Sequence, residues 1–214
     1  LPFSYFVRVM AYNKTVFQEA GLNADEDYPK TWDELASVGQ QIQSPEDDRY
    51  GIILGKEGGA GWTSLPFFFS MGSKIVEREE ATGNWVARFN DAGAVQAADF
   101  YSRLVDGPWV DGNGKQRYGV GMSSSEAWSI WDRGRIGMGL LYINDTLINV
   151  DDHISTMSPD ELGLVPVPMA PSGKSLTELH VRGLGICATT EDPDKIAASW
   201  QFLRFVGSSD AERV

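Results

Sequence analysis

The sequence predicts an α/β fold, a sheet with helices on its faces. Three observations carry this. Runs rich in β-branched and aromatic residues recur at residues 6–12, 50–54, 136–142, 162–167 and 179–189, as strands require. Between them lie segments with apolar residues at helical spacing, several opened by a capping residue. The 214 residues are 42% hydrophobic and 22% charged, a globular composition, and they suffice for one sizeable core or one large domain with an appendage.

Taken in order, residues 6–12 form the first strand. Residues 14–20 form a short amphipathic helix with Val16, Phe17 and Ala20 on one face, and Gly21 stands where a helix ends. Thr31 opens the next helix, to about residue 41, with Glu34 three positions on, the spacing of a capping box. Residues 44–48 are a polar loop and 50–54 a buried strand. A glycine-rich stretch leads to Trp62, and residues 64–71 form a helix carrying Phe67, Phe68 and Phe69. Residues 75–79 and 85–89 read as a surface hairpin. Asn90 caps a long helix, residues 91–105, with Val95, Ala98, Phe100 and Tyr101 among its apolar positions. Residues 107–121 read as a loop. Residues 123–133 form a helix with Ser123 and Glu126 in capping-box spacing, and 146–152 a short one. Asp192 caps a last helix, with Pro193 at its first position, to about residue 206.

Lys and Arg number 18 against 30 Asp and Glu, a formal charge of −12. This argues against nucleic acid, which rewards basic faces, and against an anionic membrane surface. No run is long and apolar enough to span a bilayer. The single cysteine, Cys187, lies in an apolar run and reads as a buried structural thiol. No cofactor or metal site is expected. Gly173-Lys174-Ser175 resembles the end of a P-loop, but Pro168 stands where its first glycine belongs. Asp111-Gly112-Asn113-Gly114-Lys115 begins like a calcium loop but lacks the glycine at the sixth position. Asp151-Asp152-His153 reads as a solvated turn.

Three stretches carry a resemblance. Tyr12-Asn13-Lys14-Thr15-Val16-Phe17-Gln18-Glu19-Ala20-Gly21-Leu22 is followed by Pro29-Lys30-Thr31-Trp32-Asp33-Glu34-Leu35. Trp131-Asp132-Arg133-Gly134-Arg135-Ile136-Gly137-Met138 joins a helix to a strand, and Val165-Pro166-Val167-Pro168 precedes Gly173 and then Arg182-Gly183-Leu184-Gly185-Ile186. In this order they resemble the family 1 extracellular solute-binding proteins of ABC importers, the group that includes maltose- and other sugar-binding receptors. The resemblance implies a periplasmic-binding-protein-like fold of type II, with two α/β lobes, a ligand cleft between them and a chain that crosses between lobes more than once. It also implies a middle fragment. Residues 1–12 would be a hinge-crossing strand, 13–179 the second lobe, and 180–214 the return crossing and a helix of the first lobe. Within them, residues 6–12 would enter the lobe and 182–188 leave it, lying side by side as antiparallel strands.

The implied function is non-covalent binding of a carbohydrate for uptake, outside the cytoplasm, with ABC permease subunits as partners and a lipid anchor upstream. Sugars present CH faces and hydroxyl edges, which aromatic platforms and fixed polar groups recognise. Trp62 has two readings, a ligand platform or packing under the Phe67-Phe68-Phe69 helix. Tyr142 and Asn144 end the strand that, by the resemblance, reaches the cleft, although Tyr142-Ile143-Asn144-Asp145 replaces the maltose receptors' Gly-Pro-Trp. Asp145 reads as a helix cap. Arg182 stands where many relatives have glycine and reads either as a clamp for an acidic or phosphorylated sugar or as a surface ion pair. Tyr12 reads as facing the cleft or as hinge packing. Trp32, Trp128, Trp131 and Trp200 fit helix-face packing. No catalysis is expected. The rival class is a glycoside hydrolase, for which Glu57 with Asp145 would be the best carboxylate pair; a reused sensory or scaffolding fold is a third.

Overall fold

A computed structural model of the protein describes residues 2–55, 59–122, 126–143, 146–147, 154–208 and 211. It divides into two compact units, residues 8–178 and residues 1–7 with 179–214. One strand, β1 (Pro2–Asn13), contributes to both.

In the larger unit β1 leads into α1 (Lys14–Glu19), capped by Asn13, whose Oδ1 accepts from the amides of Thr15 and Val16 at 2.9 and 3.2 Å. Then follow α2 (Trp32–Ile42), β2 (Tyr50–Ile53), α3 (Ala60–Thr63) and α4 (Leu65–Ser70). A hairpin of β3 (Val76–Arg78) and β4 (Trp85–Ala87) precedes α5 (Ala92–Asp106). A second hairpin, β5 (Pro108–Val110) and β6 (Gln116–Tyr118), leads to β7 (Gly121–Met122), α6 (Ala127–Asp132), β8 (Ile136–Tyr142) and β9 (Leu162–Val165). The expected capping box of α2 is present: the Glu34 amide donates to Thr31 Oγ1 at 3.3 Å and the Thr31 amide to Glu34 Oε2 at 3.2 Å.

The sheet order is β9-β1-β8-β2-β7. β1 is antiparallel to both neighbours, with Tyr12 opposite Met138 on one side and Gly163 on the other. β8, β2 and β7 are mutually parallel, with Ile53 opposite Gly139 and Met122. Successive strand residues point to opposite faces, and both faces are covered. Met10, Tyr12, Ile52, Met138 and Leu140 join α1, α2, α4 and α5 in one core, where Trp32 stacks on Phe100 at 4.7 Å and meets Phe67 edge-on at 5.3 Å. Ala11, Ile53 and Leu141 pack on the other face against Ile130 and Trp131 of α6.

In the smaller unit the first half of β1 pairs antiparallel with β10 (Leu179–Gly183), from Pro2 opposite Gly183 to Val7 opposite Leu179. β1 and β10 are thus antiparallel neighbours, but through residues 2–7 and 179–183; residues 8–12 of the expected segment pair with β8 and β9 instead, and residues 182–188 do not pair with residues 6–12. Helix α7 (Pro193–Val206) is capped by Asp192, whose Oδ1 accepts from the amides of Asp194 at 2.9 Å and Lys195 at 3.4 Å. Leu203 is its buried residue, and Trp200, Phe202 and Phe205 are exposed. A cavity of about 390 Å³ lies between residues 184–186 and this helix.

Several expectations are corrected. The cap of α5 is Asp91 rather than Asn90, its Oδ1 accepting from the Ala94 amide at 2.7 Å. The expected helix at 64–71 is present as α4, and a separate short helix that the sequence does not announce, α3, precedes it in the glycine-rich approach. Residues 107–121 hold the β5–β6 hairpin and β7 rather than a plain loop. The last strand ends at Gly183 rather than 189, where its pairing with β1 runs out. Cys187 is exposed, as are Trp128 and Trp200, which lie outside the two packed clusters of described residues. The expected helix at 146–152, Ser123, and the Asp151-Asp152-His153 turn fall wholly or mostly outside the described residues.

Candidate ligand-binding site

Parallel β2, β7 and β8 end at one edge of the larger unit's sheet. Loops leaving the carboxyl ends of such strands are where open α/β sheets place ligands. β2 leads from this edge toward α3, which carries Trp62, and β8 ends there on Tyr142. The fold thus brings to one edge two aromatic residues 80 positions apart in sequence, roughly the span of several elements.

Trp62 is 55% exposed, so it does not pack under the following helix; Phe67 does the core packing there. A ring of hydrogen bonds fixes α3. The Gly55 amide donates to Thr63 Oγ1 at 3.0 Å, the Thr63 and Tyr101 hydroxyls are 2.5 Å apart, and the Tyr101 hydroxyl donates to the Gly55 carbonyl at 2.6 Å. Thr63 Oγ1 also lies 3.2 Å from the Gly59 carbonyl, to which it can donate, so the hydroxyl links both ends of the turn. Burial, the largest influence, pushes the Tyr101 phenol above its ordinary pKa and keeps it a donor. Gly55 is required here, because a Cβ would strike the Gly59 backbone and the Thr63 hydroxyl.

Tyr142 is half-buried. The Arg8 guanidinium carbon lies 4.2 Å from its ring centroid, and its hydroxyl donates to Glu178 Oε1 at 3.3 Å. Arg8 Nε donates to the same oxygen at 2.5 Å and Nη1 to the Leu140 carbonyl at 2.6 Å. Arg8 is 3% exposed and Glu178 7%. Thr177 Oγ1 adds a bond to Glu178 Oε2 at 3.2 Å. Burial is the main cause raising the Tyr142 phenol above its ordinary pKa; Arg8 pulls it back and Glu178 pushes it further up. Tyr142 is thus a neutral phenol held by a buried ion pair.

The other expected residues fare differently. Tyr12 is a core residue, 4% exposed, its ring 5.1 Å from Phe17 and 5.9 Å from Tyr28, with Gly163 leaving room for it across the sheet. It packs because its position in β1 points it into the aromatic core. Arg182 belongs to the smaller unit, where it is exposed and lies over the Phe6 ring at 4.1 Å. Asn144 lies outside the described residues, as do Glu57 and Asp145, the carboxylate pair of the hydrolase reading. Sequence reasoning missed Arg8 and Glu178. Arg8 had a signal, the one charge inside the apolar run of β1; Glu178 had none. Among the described residues no group of three or more His, Cys, Asp or Glu could hold a metal ion. No helix among them is long and apolar enough to cross a membrane.

Relatives share this fold. A binding protein of Brucella abortus is 25% identical over 178 residues, 81% of this chain and 38% of its own length. The mannitol-binding protein of Pseudomonas aeruginosa is 24% identical over 221 aligned positions, covering 100% of this chain and 47% of its own. The crystal structure of an ABC transporter solute-binding protein from Agrobacterium radiobacter K84, in complex with ribitol, superposes with a TM-score of 0.74 at 20% identity, covering 100% of this chain and 50% of that one. The chain spans half or less of the length of these relatives. Residues 1–213 match the bacterial extracellular solute-binding proteins, a family of extracytoplasmic binding proteins and not of enzymes, and the chain belongs to that family.

Proposed function

We propose that this chain is part of the substrate-binding component of an ABC-type importer and binds a carbohydrate, a sugar or polyol, non-covalently for uptake. The observation that carries the proposal is the family match over residues 1–213. The site chemistry agrees with it. Trp62 and Tyr142 offer flat apolar faces at one sheet edge, and the Tyr142 hydroxyl offers a polar one, the combination that suits CH faces and hydroxyl edges. One relative is named for mannitol and another holds ribitol, both linear polyols. The proposed contacts are Trp62, Tyr142, Asn144 and Arg182; Tyr12 is left out because it is core.

In this reading residues 1–12 are the hinge-crossing strand, 13–179 forms the second lobe, and 180–214 holds the return crossing and α7, which belongs to the first lobe. The exposed Trp200, Phe202 and Phe205 support that placement of α7, since a helix with such a stripe packs against something. The partners are permease subunits, and the protein works in the periplasm or lipid-anchored at the outer face of the cell membrane. Calorimetry of the full-length protein with D-mannitol, ribitol, D-glucose and maltose tests the function. Saturable binding of at least one, with the sugar recovered unchanged, is expected. Binding of none, or hydrolysis of maltose, overturns the proposal.

A further inference from the structure

Arg8 and Glu178 stand 170 residues apart and meet as a buried ion pair at 2.5 Å. Such a pair is a weak source of net stability, because desolvating two charges offsets most of their attraction. Its geometry does something more specific. Both partners also engage the same aromatic ring. Arg8 lies over one face of Tyr142 at 4.2 Å, and Glu178 Oε1 accepts the Tyr142 hydroxyl proton at 3.3 Å while accepting from Arg8 Nε. The Leu140 carbonyl, two residues before Tyr142 on the same strand, takes Arg8 Nη1 at 2.6 Å and so references the guanidinium to β8 itself.

We infer that Arg8 and Glu178 are positioning residues that fix the ring plane and the hydroxyl direction of Tyr142 as a one-sided platform for the carbohydrate, an inference that rests on the proposed function. Arg8 occupies one ring face, so a ligand meets the other face or the hydroxyl edge. Glu178 takes the phenol proton, so the hydroxyl oxygen is turned to accept from a ligand hydroxyl rather than to donate to it. An unclamped tyrosine could do either, and would lose side-chain rotational freedom on binding. The pair therefore sets which ligand hydroxyl geometry is read at this position.

The test removes the clamp without leaving a buried charge. In the full-length protein, Arg8→Met combined with Glu178→Leu replaces the ion pair by apolar groups of similar volume, a change that often leaves stability unaltered. Mannitol, ribitol, glucose and maltose are the probes, and the best binder is followed. The double variant should melt close to wild type yet bind about tenfold more weakly, the scale of one oriented hydrogen bond plus the lost ordering. In a Tyr142→Ala background the same double change should alter affinity less than about twofold, because its route of action is gone. Wild-type affinity in the folded double variant overturns the inference, and so does an equal loss in both backgrounds. Should the double variant not fold, Glu178→Gln, which keeps the shape, is compared in the same two backgrounds with the same criteria. Wild-type protein that binds none of the four probes overturns the transport reading, whereas binding with Tyr142-independent losses overturns the positioning role alone.

Discussion

In the larger unit Trp32 and Trp131 are inside, one stacked on Phe100 and the other against the far face of the sheet; in the smaller unit Trp200, Phe202 and Phe205 lie exposed on α7. Both α2 and α7 start from well-formed caps, Thr31 and Asp192. Capping therefore fixes where a helix begins but not whether its apolar stripe is covered. Coverage comes from elements far away in sequence, and the larger unit supplies them on both faces of its sheet.

The strongest way to break this comparison is to truncate one tryptophan from each region. Trp131→Ala should destabilise the protein by about 3–5 kcal/mol, the cost of emptying a buried aromatic site. Trp200→Ala should change stability by no more than about 0.5 kcal/mol, as surface substitutions do. Urea unfolding of the 214-residue chain measures both. Equal costs would mean that α7 is packed in solution.

A tryptophan that is exposed within the well-packed unit sharpens the same point. Trp62→Ala in the full-length protein should weaken binding of its carbohydrate about tenfold, on the scale of a lost aromatic stacking contact. Its melting temperature should move far less than that of Trp131→Ala. A collapse in melting temperature with unchanged affinity would return Trp62 to the core.

The smallest expected effect concerns the periphery of the larger unit. Arg117 Nη1 and Lys115 Nζ donate to Glu46 Oε1 at 2.6 and 2.7 Å, tying the β5–β6 hairpin to the segment before β2. Hydrogen bonds from Arg117, then Lys115, lower the Glu46 pKa from 4.5 to about 2. Because the folded value lies below the unfolded one, the tie stabilises fully above about pH 4.5 and is lost as pH falls toward about 2. Thermal melts of wild type and Glu46→Gln should differ slightly at neutral pH and converge across that window. A gap that widens on acidification would show that Glu46 is not ionised in the tie.

Local signals in the sequence match the structure where each is self-contained. The Thr31–Glu34 box, the Asp192–Pro193 start and the continuous apolar run at residues 136–142 each carry their own physics within a few residues. The β5–β6 hairpin was missed for a reason visible in its turn. Asp111 looked like the start of a calcium loop, but its Oδ1 accepts from the amides of Asn113 and Lys115, both at 2.9 Å, and its Oδ2 pairs with Arg117 at 2.9 Å. The carboxylate builds a turn rather than a metal site, a distinction that three-residue strands leave no room to signal. At the candidate site, Trp62 was legible as an aromatic after a glycine-rich approach, while its exposure was not. The two readings of Tyr12 stay open in the sequence because alternation in β1 tells two faces apart without saying which meets an aromatic core. The ties from Arg8 and Glu178 to Tyr142 join three distant segments, and no local pattern encodes them.

β1 precedes the partners it pairs with among the described residues: β8, β9 and β10 are all made more than a hundred residues after it, the Arg8–Glu178 separation alone being 170. Such long loops make its pairing a slow event in refolding, since closure entropy is spent before any contact rewards it. Unpaired strand edges are the state in which chains most readily pair with one another, and β1 is made well before the described strands that cover its edges. The segment that joins the most strands is thus also the one with the longest interval in which a wrong partner can take its edge.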